Sequence, residues 1–272
     1  MERELPELNI EGTDFLVDVQ KLELREKANP ENIIAFEEMR DFFDGYSFQY
    51  SKAEKNIPST FSEDTLTVTI PAFVKLDPAG MAVKYNMADL TGKTDFEVMV
   101  NQEAFDRRVN KGELPTMDIA GHTFYVDLRM DKLRPHDDFI SKGIVFEEID
   151  HYYSDEINAY IIPYNPKTHE FQELNYEKIS AFPKDLIAVQ FPSQRNLDPI
   201  GWNRLGGWEL EDGLKQTGLK SHFKAETIPW DQTWLKEIIK INYKDQNKQP
   251  KNSNRLSAQL PPKPTKGKGR KM

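Results

Sequence analysis

The sequence predicts an α+β fold made of two tandem copies of one hairpin-rich unit. Three observations carry that prediction. Leu5–Arg25 (LPELNIEGTDFLVDVQKLELR) lies without gaps over Leu114–Arg134 (LPTMDIAGHTFYVDLRMDKLR) with nine of 21 positions identical, where ordinary composition gives about one or two. Three further blocks follow in the same order in both halves. Turn and cap residues recur at matching places.

Each copy opens as a β-hairpin. Phe15, Val17 and Val19 alternate with polar or smaller residues, as in a strand with one buried face. Gly12 and Gly121 stand where a tight turn calls for a positive φ. Next come Ile34–Met39 (IAFEEM) and Ile144–Ile149 (IVFEEI), read as the outgoing strand of a second hairpin. Its return strand holds Tyr46, Phe48 and Tyr50, answered by Tyr160, Ile162 and Tyr164. Asp44-Gly45 marks the turn in the first copy, and the longer Ser154–Ile157 in the second. Another strand, Leu66–Ile70 or Leu186–Phe191, ends at a proline that cannot extend a ladder.

The block Leu76-Asp77-Pro78-Ala79-Gly80, repeated as Leu197-Asp198-Pro199-Ile200-Gly201, reads as a helix start, with Asp at the N-cap and Pro in the first turn. Further helices are expected over Gln102–Val109 and Pro229–Tyr243, the latter with an apolar stripe of Trp230, Trp234, Leu235, Ile238 and Ile239 that reads as core packing. The implied domains are 5–113 and 114–243, followed by a basic tail, 244–272. That tail has nine basic residues against Asp245 alone, while the body carries 27 basic and 44 acidic residues, a net −17 within the chain's −9. From Gln246 onward there are two leucines and four prolines, too little apolar surface to offset ordering entropy, so disorder is expected there.

There is no cysteine, which excludes disulfides, thiolate metal sites and a cysteine nucleophile. No secretory signal and no apolar run of about 20 residues is visible, so the expectation is a cytoplasmic protein with no membrane partner. An acidic body disfavours nucleic acid, yet Lys263, Lys266, Lys268, Arg270 and Lys271 could grip a phosphate backbone or an acidic partner.

Chemistry-bearing motifs are sparse. All five histidines fall in the second copy, and His122, His136, Asp138 and His151 are the candidate metal ligands, without a diagnostic spacing. In the hairpin reading His122 begins a strand while His136 follows Pro135 beyond its far end, so convergence requires the chain to fold back. Asp18 with Arg25, and Asp127 with Arg134, recur in both copies and read as a duplicated ligand contact or as an internal ion pair. Gly92-Lys93-Thr94 lacks the upstream glycine of a phosphate loop, and no G-x-S-x-G elbow occurs.

The run Asp118–Phe139 (DIAGHTFYVDLRMDKLRPHDDF) and the Leu-Asp-Pro-x-Gly blocks resemble an uncharacterised family of bacterial proteins of the Bacteroidetes accessory genome, over nearly all of the chain before the tail. The resemblance implies a bacterial cytoplasmic protein associated with mobile elements and transfers no catalytic residue. The expected function is non-enzymatic: a binding or regulatory protein that meets a macromolecular, chiefly protein, partner through its acidic duplicated body, with no cofactor. One version imitates nucleic-acid charge. A metal-dependent hydrolase or nuclease using second-copy His and Asp residues is the alternative, and a nucleic-acid binder working through the tail is a third.

Overall fold

The computed structural model describes residues 3–60 and 64–248. The first copy runs β1 (Glu7–Ile10), β2 (Thr13–Asp18), β3 (Glu23–Glu26), β4 (Ile33–Ala35), a 3-10 turn at Phe36–Glu38, β5 (Arg40–Phe42), β6 (Gly45–Ser51), β7 (Thr65–Pro71), α1 (Phe73–Leu76) and α2 (Pro78–Lys84), then α3 (Asp95–Met99) and α4 (Gln102–Val109). The second repeats that order with one strand, β14, inserted: β8 (Thr116–Ile119), β9 (His122–Asp127), β10 (Lys132–Pro135), β11 (Ile144–Val145), α5 (Phe146–Ile149), β12 (Tyr153–Ser154), β13 (Ala159–Asn165), β14 (Glu170–Phe171), β15 (Ile187–Pro192), α6 (Gln194–Leu197), α7 (Pro199–Gly206) and α8 (Leu214–Thr217). Strands β16 (His222–Lys224) and β17 (Glu226–Ile228) and helix α9 (Leu235–Lys248) complete it.

The α+β class holds, and the duplication extends to register. In the opening hairpins Ile10 faces Thr13 as Ile119 faces His122. In the second sheets Tyr46 faces Ile70 and Phe48 faces Val68, as Tyr160 faces Phe191 and Ile162 faces Val189. Positive φ falls on Glu11-Gly12 and Ala120-Gly121, the turn that the glycines announce.

Two expectations change. The Phe-Glu-Glu blocks are helical turns, a 3-10 turn at Phe36–Glu38 and α5 at Phe146–Ile149. The strands lie on either side of them. Phe36 with Met39, and Phe146 with Ile149, are thereby buried together three residues apart, whereas a strand would turn the second glutamate to the same face as the Phe. The last helix begins at Leu235, after a 3-10 turn at Trp230–Gln232, and continues to Lys248 rather than stopping at Tyr243. Beyond Lys248 the basic stretch, with Lys263, Lys266, Lys268, Arg270 and Lys271, lies outside the described residues.

At Asp44-Gly45 the turn is where it was expected, for a different reason. The residue with positive φ is Phe43, at 48°. Gly45 is required because a Cβ there would sit 2.1 Å from the Ile70 carbonyl oxygen. The Leu-Asp-Pro-x-Gly block likewise gains a full explanation. Asp77 and Asp198 accept from the N–H of Gly80 and Gly201 at 2.9 Å, and proline occupies the first turn. A Cβ on either glycine would collide with that carboxylate, 2.1 Å away.

Each copy has its own core. Phe15, Leu24, Ile34, Phe36, Tyr46 and Phe73 centre the first, and Phe124, Leu133, Ile144, Phe146, Tyr164 and Phe191 the second. Each such buried side chain contributes about 1.5–3 kcal/mol of transfer free energy. A third cluster joins the copies: Val100 and Ala104 from the first meet Ile200, Leu214 and Leu219 of the second. Helix α4 thus crosses over, and α3 packs against its counterpart region α8.

Candidate binding groove between the two copies

The junction of the copies leaves a cleft of about 1170 Å³. One wall is the corner where β5, β6 and α1 meet; the other is the α7–α8 loop, with Glu209, Glu211 and Asp212, and α8 itself. Phe96 and Phe105, edge to face at 5.2 Å, line its floor. At its lip the two-residue β5–β6 turn carries Phe43, 93% exposed and in the left-handed region. Phe42, 44% exposed, packs edge-on against it at 4.6 Å. A bulky side chain that is both solvated and held at positive φ is unfavourable twice over, and among the described residues Phe43 belongs to no core cluster that offsets it.

Beneath that lip the charges are fixed. Asp95 is buried and accepts from the Phe73 and Val74 N–H groups at 2.7 and 2.8 Å and from the Tyr46 hydroxyl. It thereby caps α1 from 22 residues downstream. Burial, with Asp95 beside it, pushes the Tyr46 hydroxyl pKa far above its ordinary value. Lys215 of α8 crosses the junction to Asp41 at 2.8 Å and lies 4.7 Å over the Tyr46 ring. Gln216 donates to the Met39 carbonyl. Lys75 pairs with Asp44, and the Asp44 carboxyl is held below its usual range by that lysine. The lining is therefore apolar at floor and lip and predominantly acidic along the rim.

The second copy has a corresponding cleft of about 790 Å³ at the β13–α6 corner, lined by Tyr160, Gln194, Arg195, Trp202 and Gln216. The side-chain oxygen of Gln216 is buried there without a partner among the described residues.

The residues singled out from sequence lie elsewhere. Arg25 meets Asp18 at 2.9 Å and Arg134 meets Asp127 at 3.6 Å. Asp18 also holds the N–H groups of Gln20 and Lys21, and Asp127 that of Met130. These contacts engage both pairs within their own copies. Among the histidines, the distance expectation is corrected: the chain turns at Leu128–Asp131 and β10 runs back along β9. His136 then donates its backbone N–H to Thr123 at 2.8 Å, beside His122. Its ring pairs with Asp137 and packs on Tyr125, while His122 stacks on His169 with centroids 3.7 Å apart. Asp138 meets His169 at 3.0 Å. His151 sits apart in a 3-10 turn against Tyr152. Among the described residues no three histidine, aspartate or glutamate side chains form a group that could hold a metal ion.

Sequence reasoning missed the groove itself, Asp95 as a distant helix cap, and the Thr94–Glu97 capping box that opens α3. The last had a visible signal, Thr-x-x-Glu before an apolar residue. No helix among the described residues is long and apolar enough to cross a membrane. Comparison with known proteins finds no match: no family model, no curated protein and no solved structure is similar to this chain.

Proposed function

We propose that this chain is a non-enzymatic binding protein that receives a basic, apolar-bearing segment of a protein partner in the groove between its two copies. The single observation behind this reading is Phe43: a strained, solvated aromatic at the mouth of an acidic cleft. Aromatic side chains are enriched among the anchors of protein interfaces, and a neighbouring carboxylate rim steers basic partners and rejects acidic ones. The same rim repels nucleic acid. The resemblance to bacterial accessory-genome proteins fits a cytoplasmic regulator carried by mobile elements.

The test compares the wild-type chain with a Phe42→Ser, Phe43→Ser variant, both as bait in the producing cell. The reading expects one protein retained by the wild type and lost by the variant, with binding of the purified pair weakening as salt rises. A partner retained equally by both, or a hydrolytic activity that depends on added metal, overturns it.

A further inference from the structure

The two copies differ in one respect that their shared sequence does not announce. In the second copy a single stretch, residues 222–228, closes two sheets at once. Its first part, β16, pairs in parallel with the outer edge of β8, with Thr116 N–H donating to Ser221 and Ala225 N–H to Asp118. Its second part, β17, pairs antiparallel with the outer edge of β15, Ala188 facing Ile228 and Gln190 facing Glu226. Phe223 and Ala225 pack against the second core.

In the first copy the chain takes another course at that point: after α3 it becomes α4 and crosses to the second copy. Among the described residues no strand pairs with the outer edges of β1 and β7, the counterparts of β8 and β15. The matching registers identify the unpaired positions as Glu7 and Asn9 on β1 and Thr67 and Thr69 on β7. Exposure follows. Met117, Ala188 and Val189 are 1% exposed or less, whereas Leu8 and Val68 are only partly buried and Thr67 is exposed.

We infer that the first copy binds an extended segment of a partner protein across β1 and β7, as residues 222–228 lie across β8 and β15. The second copy supplies the occupant's chemistry: a large apolar residue, then an alternating small one, then a second large apolar residue three places on, with basic residues flanking the first. Charge agrees. Glu4, Glu7, Glu11 and Asp14 surround β1, and among the described residues Lys27 pairs with Glu7 and Lys52 with Glu11, so the edge favours a basic strand like His222-Phe223-Lys224. Strand addition of this kind takes its affinity from main-chain hydrogen bonds and its selectivity from alternate side-chain pockets. It also protects an edge otherwise open to aggregation. This surface is separate from the groove, so either can fail without the other.

The probe is a synthetic peptide with the sequence of residues 220–230, titrated into the full chain by fluorescence anisotropy, with hydrogen exchange reporting the site. The expected result is saturable binding with exchange at Glu7, Asn9, Thr67 and Thr69 slowed by about tenfold or more. A peptide with Asp in place of Phe223 and Ala225 fails to bind. Glu7→Pro removes the N–H whose counterpart in Thr116 points at β16, and lowers affinity about tenfold while leaving the melting point near that of the wild type. Three results overturn the inference: no binding at millimolar peptide, protection confined to β8 and β15, or edge amides protected in the free chain and released when residues 249–272 are removed. The last would assign the edge to this chain's own C-terminus.

Discussion

The guanidinium of Arg108, at the end of α4, closes on both carboxylate oxygens of Asp198, the N-cap of α7, at 2.7 to 3.1 Å. Asp198 is wholly buried and the arginine side chain is 10% exposed. Arg3 grips Asp77, the N-cap of α2, in the same way, although its side chain is 38% exposed. The N-cap aspartate of each copy is thus neutralised by an arginine arriving from upstream of that copy's first strand. For the second copy that arginine belongs to the crossover helix, so the ion pair also fastens the two copies together.

Removing one partner of a buried pair strands the other charge, at a cost of about 3–5 kcal/mol. Arg108→Met should therefore lower stability by that amount in urea denaturation, and Asp198→Asn in the same chain should restore more than half of the loss, because asparagine still caps the helix. Arg3→Met should cost less than Arg108→Met, because the Arg3 side chain is already partly solvated even though Asp77 is buried. Equal losses at the two sites would remove the distinction drawn between them.

How much of this was legible beforehand follows from where each signal resides. The opening hairpins, the Leu-Asp-Pro-x-Gly helix start and the helix at Gln102–Val109 rest on local rules of alternation, capping and turn chemistry, and they appear where the residues place them. The Phe-Glu-Glu turns went unread because a short apolar-acidic run satisfies strand and helix patterns alike. The arginine clamps were hidden by register: Arg3 stands two places before Leu5, but Arg108 six before Leu114, so a gapless alignment sets Arg3 against Gly112. Asp95, Lys215 and Gln216 act on residues far away in the chain, and nothing local marks them.

Tyr50 and Tyr164 occupy equivalent positions, and both hydroxyls are buried with no hydrogen-bond partner among the described residues. An unmet buried donor costs about 1–3 kcal/mol. Tyr50→Phe and Tyr164→Phe should consequently leave the urea midpoint unchanged or raise it. Tyr46→Phe, which takes a donor from Asp95, should lower stability by about 1–2 kcal/mol. A loss above 1 kcal/mol in either of the first two would show that an ordered water satisfies that hydroxyl.

Alkaline behaviour follows from the same tyrosines. Burial pushes the hydroxyls of Tyr46, Tyr164 and Tyr176 upward and that of Tyr160 up to about 12. A raised folded pKa means that the neutral form stabilises the fold fully below the unfolded value near ~10. That stabilisation is lost as pH rises through the folded value. Stability should hold up to about pH 10 and then fall steeply. In a phenolate absorbance titration these four should ionise together with the loss of circular dichroism. Reversible ionisation of all ten tyrosines with the fold intact would contradict this.

The last prediction separates binder from metalloenzyme. His122 and His169 lie ring on ring, 3.7 Å between centroids and tilted by 40°, an arrangement that turns their faces rather than their lone pairs toward each other. One nitrogen of His169 is already taken by Asp138 at 3.0 Å, and Asp138 also receives the N–H groups of Ile140 and Ser141. Those backbone bonds, ahead of His169, hold its carboxyl below the usual carboxylate range. A zinc ion needs donors about 2 Å away on converging lone pairs, so these rings would have to separate and break that network to bind one. Saturating Zn²⁺ or Mn²⁺ should accordingly leave the melting point unchanged, in the wild type and in a His122→Ala, His169→Ala variant alike. A rise in the wild type by mass action, absent from that variant, would establish a site at this stack and put the hydrolase reading first.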